Sequence, residues 1–238
     1  MKVAILTDTH ANLPALHVAL DAITKEGCDV IYHTGDAIGI GPYPAECLDL
    51  LLNTPNIKLI MGNHDAWFAY GLPQPRPVWM SAGEVLHHRW VHSCLNPALR
   101  SVVGQWPYVI EEKFEKVHIT FLHYGLDASQ KNFLSIVRDP RPGDLDNMFR
   151  ANRSDVVFYG HHHPASDIRG QARYVNPGSL GCFQEPLARF IILECSKSDY
   201  QLDKRAISYT DKDLFREFER RNVPEREFIY QVFFGRKP

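Results

Sequence analysis

Cysteine is too scarce and too scattered in this chain to form a disulfide framework. Its five cysteines (Cys28, Cys47, Cys94, Cys182, Cys195) are odd in number and include no C-x-x-C pair. That usage fits reduced thiols and a cytoplasmic setting. Long apolar runs are missing as well. No stretch is apolar enough to span a bilayer, and the first run, Val3-Ala-Ile-Leu6, is too short for a signal peptide. The expectation is a soluble intracellular protein with no membrane partner. Charge of one sign is also missing. The net charge of −2 gives no global field to recruit long nucleic acid or an anionic surface. There are no repeats, no low-complexity segment and no clear linker. At 238 residues the chain can bury one sizeable α/β core or two small ones. What it does have is histidine, 12 in all, several of them in clusters.

Those clusters sit where apolar runs end. Val3-Ala-Ile-Leu6 reads as a strand buried on both faces and leads into Asp8-Thr9-His10. Asn12 caps a helix with Pro14 in its first turn and Leu16, Ala19, Leu20 and Ile23 along one face, stopped near Gly27. Val30-Ile-Tyr32 then ends in His33-Thr-Gly35-Asp36, and the run 57–61 ends in Gly62-Asn63-His64-Asp65. Glycine at 62 is read as permitting a sharp turn there. Three successive β-loop-α units imply a largely parallel sheet with right-handed crossovers. Further on, Val117 to Leu122 ends in His123-Tyr124-Gly125, and Val156 to Tyr159 ends in Gly160-His161-His162-His163. Open α/β sheets place their sites at strand ends of this kind.

Residues 66–108 break that rhythm. Trp67, Phe68 and Tyr70 precede three prolines, and two helical patterns follow, around Val85, Leu86, Trp90 and Cys94 and around Leu99, Val102 and Val103. The aromatics either line a cleft or anchor the excursion onto the sheet. A charged helix after residue 210 and a last aromatic stretch from Phe228 form a C-terminal extension over about 210–238.

The strand ends collect Asp8, His10, Asp36, Asn63, His64, His123, His161 and His163. Carboxylate, amide and imidazole donors without thiolate suit borderline-hard dications such as Mn, Fe or Zn. In extended backbone, residues two apart project to one side, so D-x-H and H-x-H each aim two donors at one place. With His64 set aside, the seven remaining donors exceed one tetrahedral ion but serve two ions ~3.5–4 Å apart if one carboxylate is shared. Asp36 is the expected bridge. Taken singly, each Asp or His is more readily a cap or a satisfied loop group than a ligand; the joint occurrence carries the signal.

The order D-x-H, G-D, G-N-H-D, H and G-H-x-H resembles the calcineurin-like metallophosphoesterase superfamily. Gly35-Asp36-Ala-Ile-Gly39-Ile-Gly41-Pro42-Tyr-Pro44 and Asn176-Pro177-Gly178-Ser179 are similar to its compact bacterial YfcE-like branch. The resemblance implies a four-layer αββα sandwich with two central mixed β-sheets flanked by helices, spanning 1–238 as one unit. It implies a dinuclear centre: one ion on Asp8, His10, Asp36 and His163, the other on Asp36, Asn63, His123 and His161. His64 would face the phosphate with Asn63, and Asp65 would hold His64 in orientation. Two divalent transition-metal ions are expected, Mn first, with Fe, Zn or Ni as alternatives. The implied activity is hydrolysis of a small phosphodiester, nucleotide or phosphomonoester by a metal-bridging hydroxide, with no phosphoenzyme.

Two departures stand out: Tyr124 separates His123 from Gly125, placing a phenol near the ions, and His162 replaces the usual Thr of G-H-x-H. His33, His87, His88 and His162 are expected as ordinary loop or surface histidines, and Arg76 and Arg89 as solvated ones. The alternative function is a non-catalytic protein-binding scaffold on the same fold, which would be expected to shed donors or His64; this chain retains them. The expected partners are a small phosphate-ester substrate and, as an option, a second copy of the chain in a homo-oligomer.

Overall fold

The computed structural model describes residues 1–197 and 199–236. Its first half alternates strand and helix: β1 (Lys2–Leu6), α1 (Leu13–Glu26), β2 (Val30–His33), α2 (Pro44–Leu52), β3 (Ile57–Leu59) and α3 (Asn63–Tyr70). Two more helices follow, α4 (Ala82–Cys94) and α5 (Leu99–Val103). Then come β4 (Val109–Phe114), β5 (Val117–Leu122), α6 (Pro142–Met148), β6 (Val156–Phe158), β7 (Ser166–Arg169) and β8 (Arg173–Asn176). The chain continues through β9 (Leu187–Cys195), β10 (Tyr200–Ser208), α7 (Lys212–Arg220) and α8 (Arg226–Phe234).

These strands form two mixed five-stranded sheets, ordered β10-β9-β1-β2-β3 and β4-β5-β6-β8-β7. In the first, β1, β2 and β3 run parallel (Val3 beside Val30, Ile31 beside Ile57), while β9 pairs antiparallel with β1 and β10. In the second, β5, β6 and β8 run parallel, with β4 and β7 antiparallel at the edges. Parallel strands share an end, so the carboxyl ends of β1, β2 and β3 emerge on one rim, as do those of β5, β6 and β8.

Strand alternation builds the layers. Val3 and Ile5 of β1 face the space between the sheets, where Tyr32, Phe121, Phe158, Val175 and Leu193 meet them. Ala4 and Leu6, one residue out of phase, pack on Leu16, Ala19 and Ile23 of α1. Tyr32 stacks on Phe121 across the sheets at 3.8 Å between ring centroids. On the far side, Leu122, Val157, Tyr159 and Tyr174 cover Leu145 of α6 and Phe149. The order is helix, sheet, sheet, helix: the four-layer sandwich that the motifs implied. A fourth cluster joins Leu214, Phe218, Ile229 and Phe234 of α7 and α8 to Ile40 and Cys182, tying the C-terminal helices to the site rim.

α1 forms as its sequence indicates, with the Asn12 side chain accepting from Ala15 N at 3.1 Å and Gly27 closing the helix at φ 65°. The face of α4 does not. Leu86 is exposed, whereas His87, His88 and Val91 are buried. The helix therefore packs an imidazole face inward. His33 is buried too, its Nε2 2.8 Å from Thr9 Oγ1 and its Nδ1 accepting from Gly35 N. These three histidines are not the surface groups expected from sequence. Arg89 is exposed as expected, and Arg76 bonds the Met80 carbonyl within its own loop.

Candidate metal centre

The loop after β1 carries Asp8 and His10, the loop after β2 carries Asp36, and Asn63 and His64 open α3 after β3. From the other sheet, His123 follows β5, and His161 and His163 follow β6. All eight side chains meet at the common rim of the two sheets. Backbone geometry is unusual here: Asp8, His10, Ala11, Asp36 and His161 all have φ between 46° and 65°. Left-handed backbone at a non-glycine residue costs ~1–3 kcal/mol and persists only where surrounding structure imposes it.

Asp36 is the hub. Its Oδ1 accepts from His64 N at 2.9 Å. Its Oδ2 lies 3.3 Å from His123 Nε2 and 3.8 Å from the Nε2 atoms of both His10 and His64. Asp36 consequently belongs to two donor groups, His10–Asp36–His64 and Asp36–His123–His161, each with ligand atoms within 4.8 Å of one another. Asp8 links the sheets: Thr7 Oγ1 donates to its Oδ2 at 2.9 Å, and His161 N reaches it from the second sheet at 3.1 Å. His10 and His163 face each other, Nε2 to Nε2, at 2.9 Å.

Burial would raise the pKa of both Asp8 and Asp36, but the facing imidazoles, with His10 leading at Asp8 and His123 at Asp36, hold both below the usual carboxylate range. Burial would likewise lower His123; Asp36 outweighs it and lifts His123 to about 9. His161 and His163 lie further from that carboxylate, and burial takes them down to about 4 and about 3. The Nδ1 of His123 meets the Thr34 carbonyl at 2.9 Å. A ring nitrogen that donates to a carbonyl leaves the other lone pair free to bind a metal.

Donors without enough protons fit a cation. Asn63 Oδ1 lies 3.2 Å from His123 Nε2; turned over, its Nδ2 would meet Asp36 Oδ2 at 3.3 Å and His161 Nδ1 at 2.8 Å. In that orientation its Oδ1 would accept from His64 N at 3.3 Å. Carboxylate, amide oxygen and imidazole nitrogen converge here, the set that suits borderline dications.

Three sequence-based roles change. Asp65 does not hold His64. Its Oδ2 accepts from Asp36 N at 2.7 Å and Gly62 N at 3.0 Å, and its Oδ1 from Ala37 N at 3.1 Å. Both oxygens are occupied by backbone, so Asp65 positions the Asp36 loop; burial and the Asp36 charge push its pKa up to about 7. Gly62 has ordinary extended backbone (φ −97°). Glycine is required there for closeness, since a Cβ would overlap Asp36 N and Oδ1. Tyr124 presents its ring, not its hydroxyl, to His161 (4.9 Å); its oxygen accepts from Val137 N at 2.9 Å.

The rim contains groups the motifs did not flag. His88 of α4 lies 4.9 Å from His64, ring to ring, with Trp67 5.0 Å from the same imidazole. Phe133 sits 5.2 Å from His123 and Phe233 of α8 5.6 Å from His163. The Arg189 guanidinium donates to the carbonyls of His163 and Ser179 at 3.1 Å and stacks on Phe183, fixing the loop that carries His163. Among these, Trp67 was legible as an aromatic that lines a cleft or anchors the excursion, and the adjacent pair His87-His88 was visible without pointing to the site. Of the excursion aromatics, Trp67 borders the site, Phe68 is core, and Tyr70 is exposed and bonds the Gly104 carbonyl.

The profile of the calcineurin-like phosphoesterase superfamily domain matches residues 1–198, and the chain belongs to that superfamily. An uncharacterised protein of Methanocaldococcus jannaschii is 24% identical over 240 residues, covering 94% of each chain. Among solved structures, a hypothetical protein of Pyrococcus horikoshii superposes with a TM-score of 0.82 at 21% identity, covering 100% of this chain and 99% of that one. A metallophosphoesterase from Sphaerobacter thermophilus gives 0.73 at 22% identity, over 99% of this chain and 100% of that one. At such identities the structural likeness establishes the fold. Family membership supports a metal-dependent phosphoesterase in general.

Proposed function

We propose that this chain hydrolyses a small phosphate ester (a phosphomonoester, phosphodiester or nucleotide) at a two-ion centre in which Asp36 is shared. The observation that carries the reading is that Asp36 belongs to two separate donor groups, its Oδ2 lying 3.8 Å from His10 Nε2 and 3.3 Å from His123 Nε2. Asp8, His10 and His163 complete one side; Asn63, His123 and His161 complete the other. Two divalent ions held there would polarise the phosphoryl oxygens and lower the pKa of water. Manganese is the first choice for these oxygen and nitrogen donors, with iron, zinc or nickel as alternatives.

The protein's own groups then have distinct tasks. Burial holds the His64 pKa well below the usual value, so its imidazole is neutral in the free protein. A neutral imidazole offers one N–H to a phosphoryl oxygen. A dianionic substrate alongside would favour the protonated ring, which could then pass a proton to the departing alkoxide. Trp67 and His88 pack around His64 and restrict its rotation.

Hydrolysis of bis-p-nitrophenyl phosphate by metal-stripped protein, before and after adding manganese, tests this reading. Turnover should appear with the metal and track a content near two ions per chain. Ions bound at that stoichiometry with no turnover on phosphodiesters, monoesters or nucleotides would favour the scaffold alternative instead.

A further inference from the structure

Cys182 lies just beyond the Asn176–Ser179 turn, on a loop laid directly over the Asp8 loop. Ser179 Oγ donates to the Asp8 carbonyl and accepts from Cys182 N, each at 2.8 Å. Leu180 N donates to Thr7 O and Gly181 N to Asp8 O, both at 3.0 Å. A Cβ at residue 181 would overlap the Thr9 carbonyl, so glycine is what lets the two loops touch. That contact brings the Cys182 sulfur into a group with His10 and His163 whose ligand atoms all lie within 4.8 Å of one another. Among the described residues, none of the other four cysteines falls in such a group.

A second observation is independent of the sulfur. His10 is 1% exposed, its Nδ1 has no hydrogen-bond partner, and its Nε2 meets the Nε2 of His163 at 2.9 Å. Two imidazole nitrogens facing so closely in a buried setting describe a site made for a cation. Bond lengths of ~2.0 Å to nitrogen and ~2.3 Å to sulfur allow a nitrogen–sulfur separation of up to ~4.3 Å around one ion. The sulfur lies within 4.8 Å of both nitrogens, so a shift of about half an ångström at most brings it inside that limit.

We propose that Cys182 is a sulfur donor to the ion held by His10 and His163. The assignment rests on the two-ion reading above and divides the centre into unlike halves. The Cys182 half combines sulfur, nitrogen and carboxylate, and its soft donor selects zinc, iron(II) or cobalt(II). The half built on Asp36, Asn63, His123 and His161 has only nitrogen and oxygen and accepts manganese readily. Ligation exchanges the thiol proton for the ion; the proton leaves to solvent and the sulfur keeps its electron pair for the metal bond.

The test loads the metal-stripped full chain with cobalt(II) and reads its absorption spectrum. The wild type should show visible ligand-field bands together with a near-ultraviolet sulfur-to-cobalt charge-transfer band. Cys182→Ser should keep the visible bands and lose the near-ultraviolet one, while Cys94→Ser, altered at a half-buried thiol outside the cluster, should retain both. Zinc-loaded wild type, which needs no variant to fold, should show a sulfur shell at ~2.3 Å by X-ray absorption. Visible bands without the charge-transfer band, and no sulfur shell, would overturn the assignment and leave Cys182 as a packing partner of Ile40 and Leu214. Failure to bind cobalt at all would overturn the two-ion reading along with it.

Discussion

The two sheets contribute opposite halves of the site. From the first come Asp8, Asp36 and Asn63, and with them all of the negative charge, joined by His10 and His64; from the second come His123, His161 and His163, imidazole only. Neither set would be stable alone at the bottom of a sandwich. Buried carboxylates without partners would protonate, and a buried imidazole stays neutral where burial outweighs the carboxylates near it, as at His161 and His163. Packing the sheets turns two unfavourable burials into one ionised cluster. The cross-links are specific: His161 N to the Asp8 carboxylate, and His123 Nδ1 to the Thr34 carbonyl. The centre is thus a property of the interface between sheets, and the stacked core beneath it, Tyr32 on Phe121, holds that interface in register.

Breaking the comparison at its hub should have the largest effect. Asp36→Asn removes the one charge common to both donor groups. Metal content should fall from two ions to one or none, turnover should drop to the metal-free background, and the His123 pKa should fall from about 9 as burial takes over. Elemental analysis and an NMR titration of His123 check this; two ions retained would refute the sharing. Next in size is His64→Ala, which spares the donors from both sheets. Ion content should hold while kcat falls by about 10²–10⁴-fold, more for alkyl than for p-nitrophenyl leaving groups. Equal losses on both would mean that His64 only positions the phosphate.

The smallest effect comes from a histidine that serves neither sheet. His87 on α4 has no carboxylate beside it, and burial brings its pKa down to about 4. Because the folded value lies below the unfolded ~6.5, the unfolded chain gains protons first as pH falls. Stability should therefore drain away between pH 6.5 and pH 4, by about 2 kcal/mol already at pH 5. In His87→Leu the difference in unfolding free energy between pH 7 and pH 5 should shrink by that amount, measured by denaturant titration. An unchanged difference would mean that His87 finds water or a proton acceptor when charged.

Much of this was legible because strand ends leave a short-range signature. Asp8-Thr-His10 and His161-His-His163 each follow a run that is apolar on both faces, and both the strand and its direction can be read from a few residues. What stayed hidden depends on partners far away in sequence. Asp65 reads as a neighbour of His64, but its oxygens are claimed by backbone from residues 36 and 37. The face of α4 reads as Val85, Leu86, Trp90 and Cys94, yet what it packs against is His64 and Trp67, so imidazoles turn inward and Leu86 outward. Strand β7 is short, half polar and at an edge, which leaves no periodic trace. Phe133 and Phe233 reach the rim from segments with no motif at all.

The left-handed residues at Asp8, His10, Asp36 and His161 bear on how this protein should fail. Their conformations are imposed by the layers on which they rest, so the bent loops behave like a sprung clip held shut by its frame. Loosen the frame slightly, for instance by Ile5→Val between the sheets at a cost of only ~0.5–1.5 kcal/mol, and the loops relax toward ordinary backbone before the sandwich comes apart. Ion affinity should then decline in variants whose melting temperature has barely moved, which makes metal retention a finer gauge of core integrity than heat.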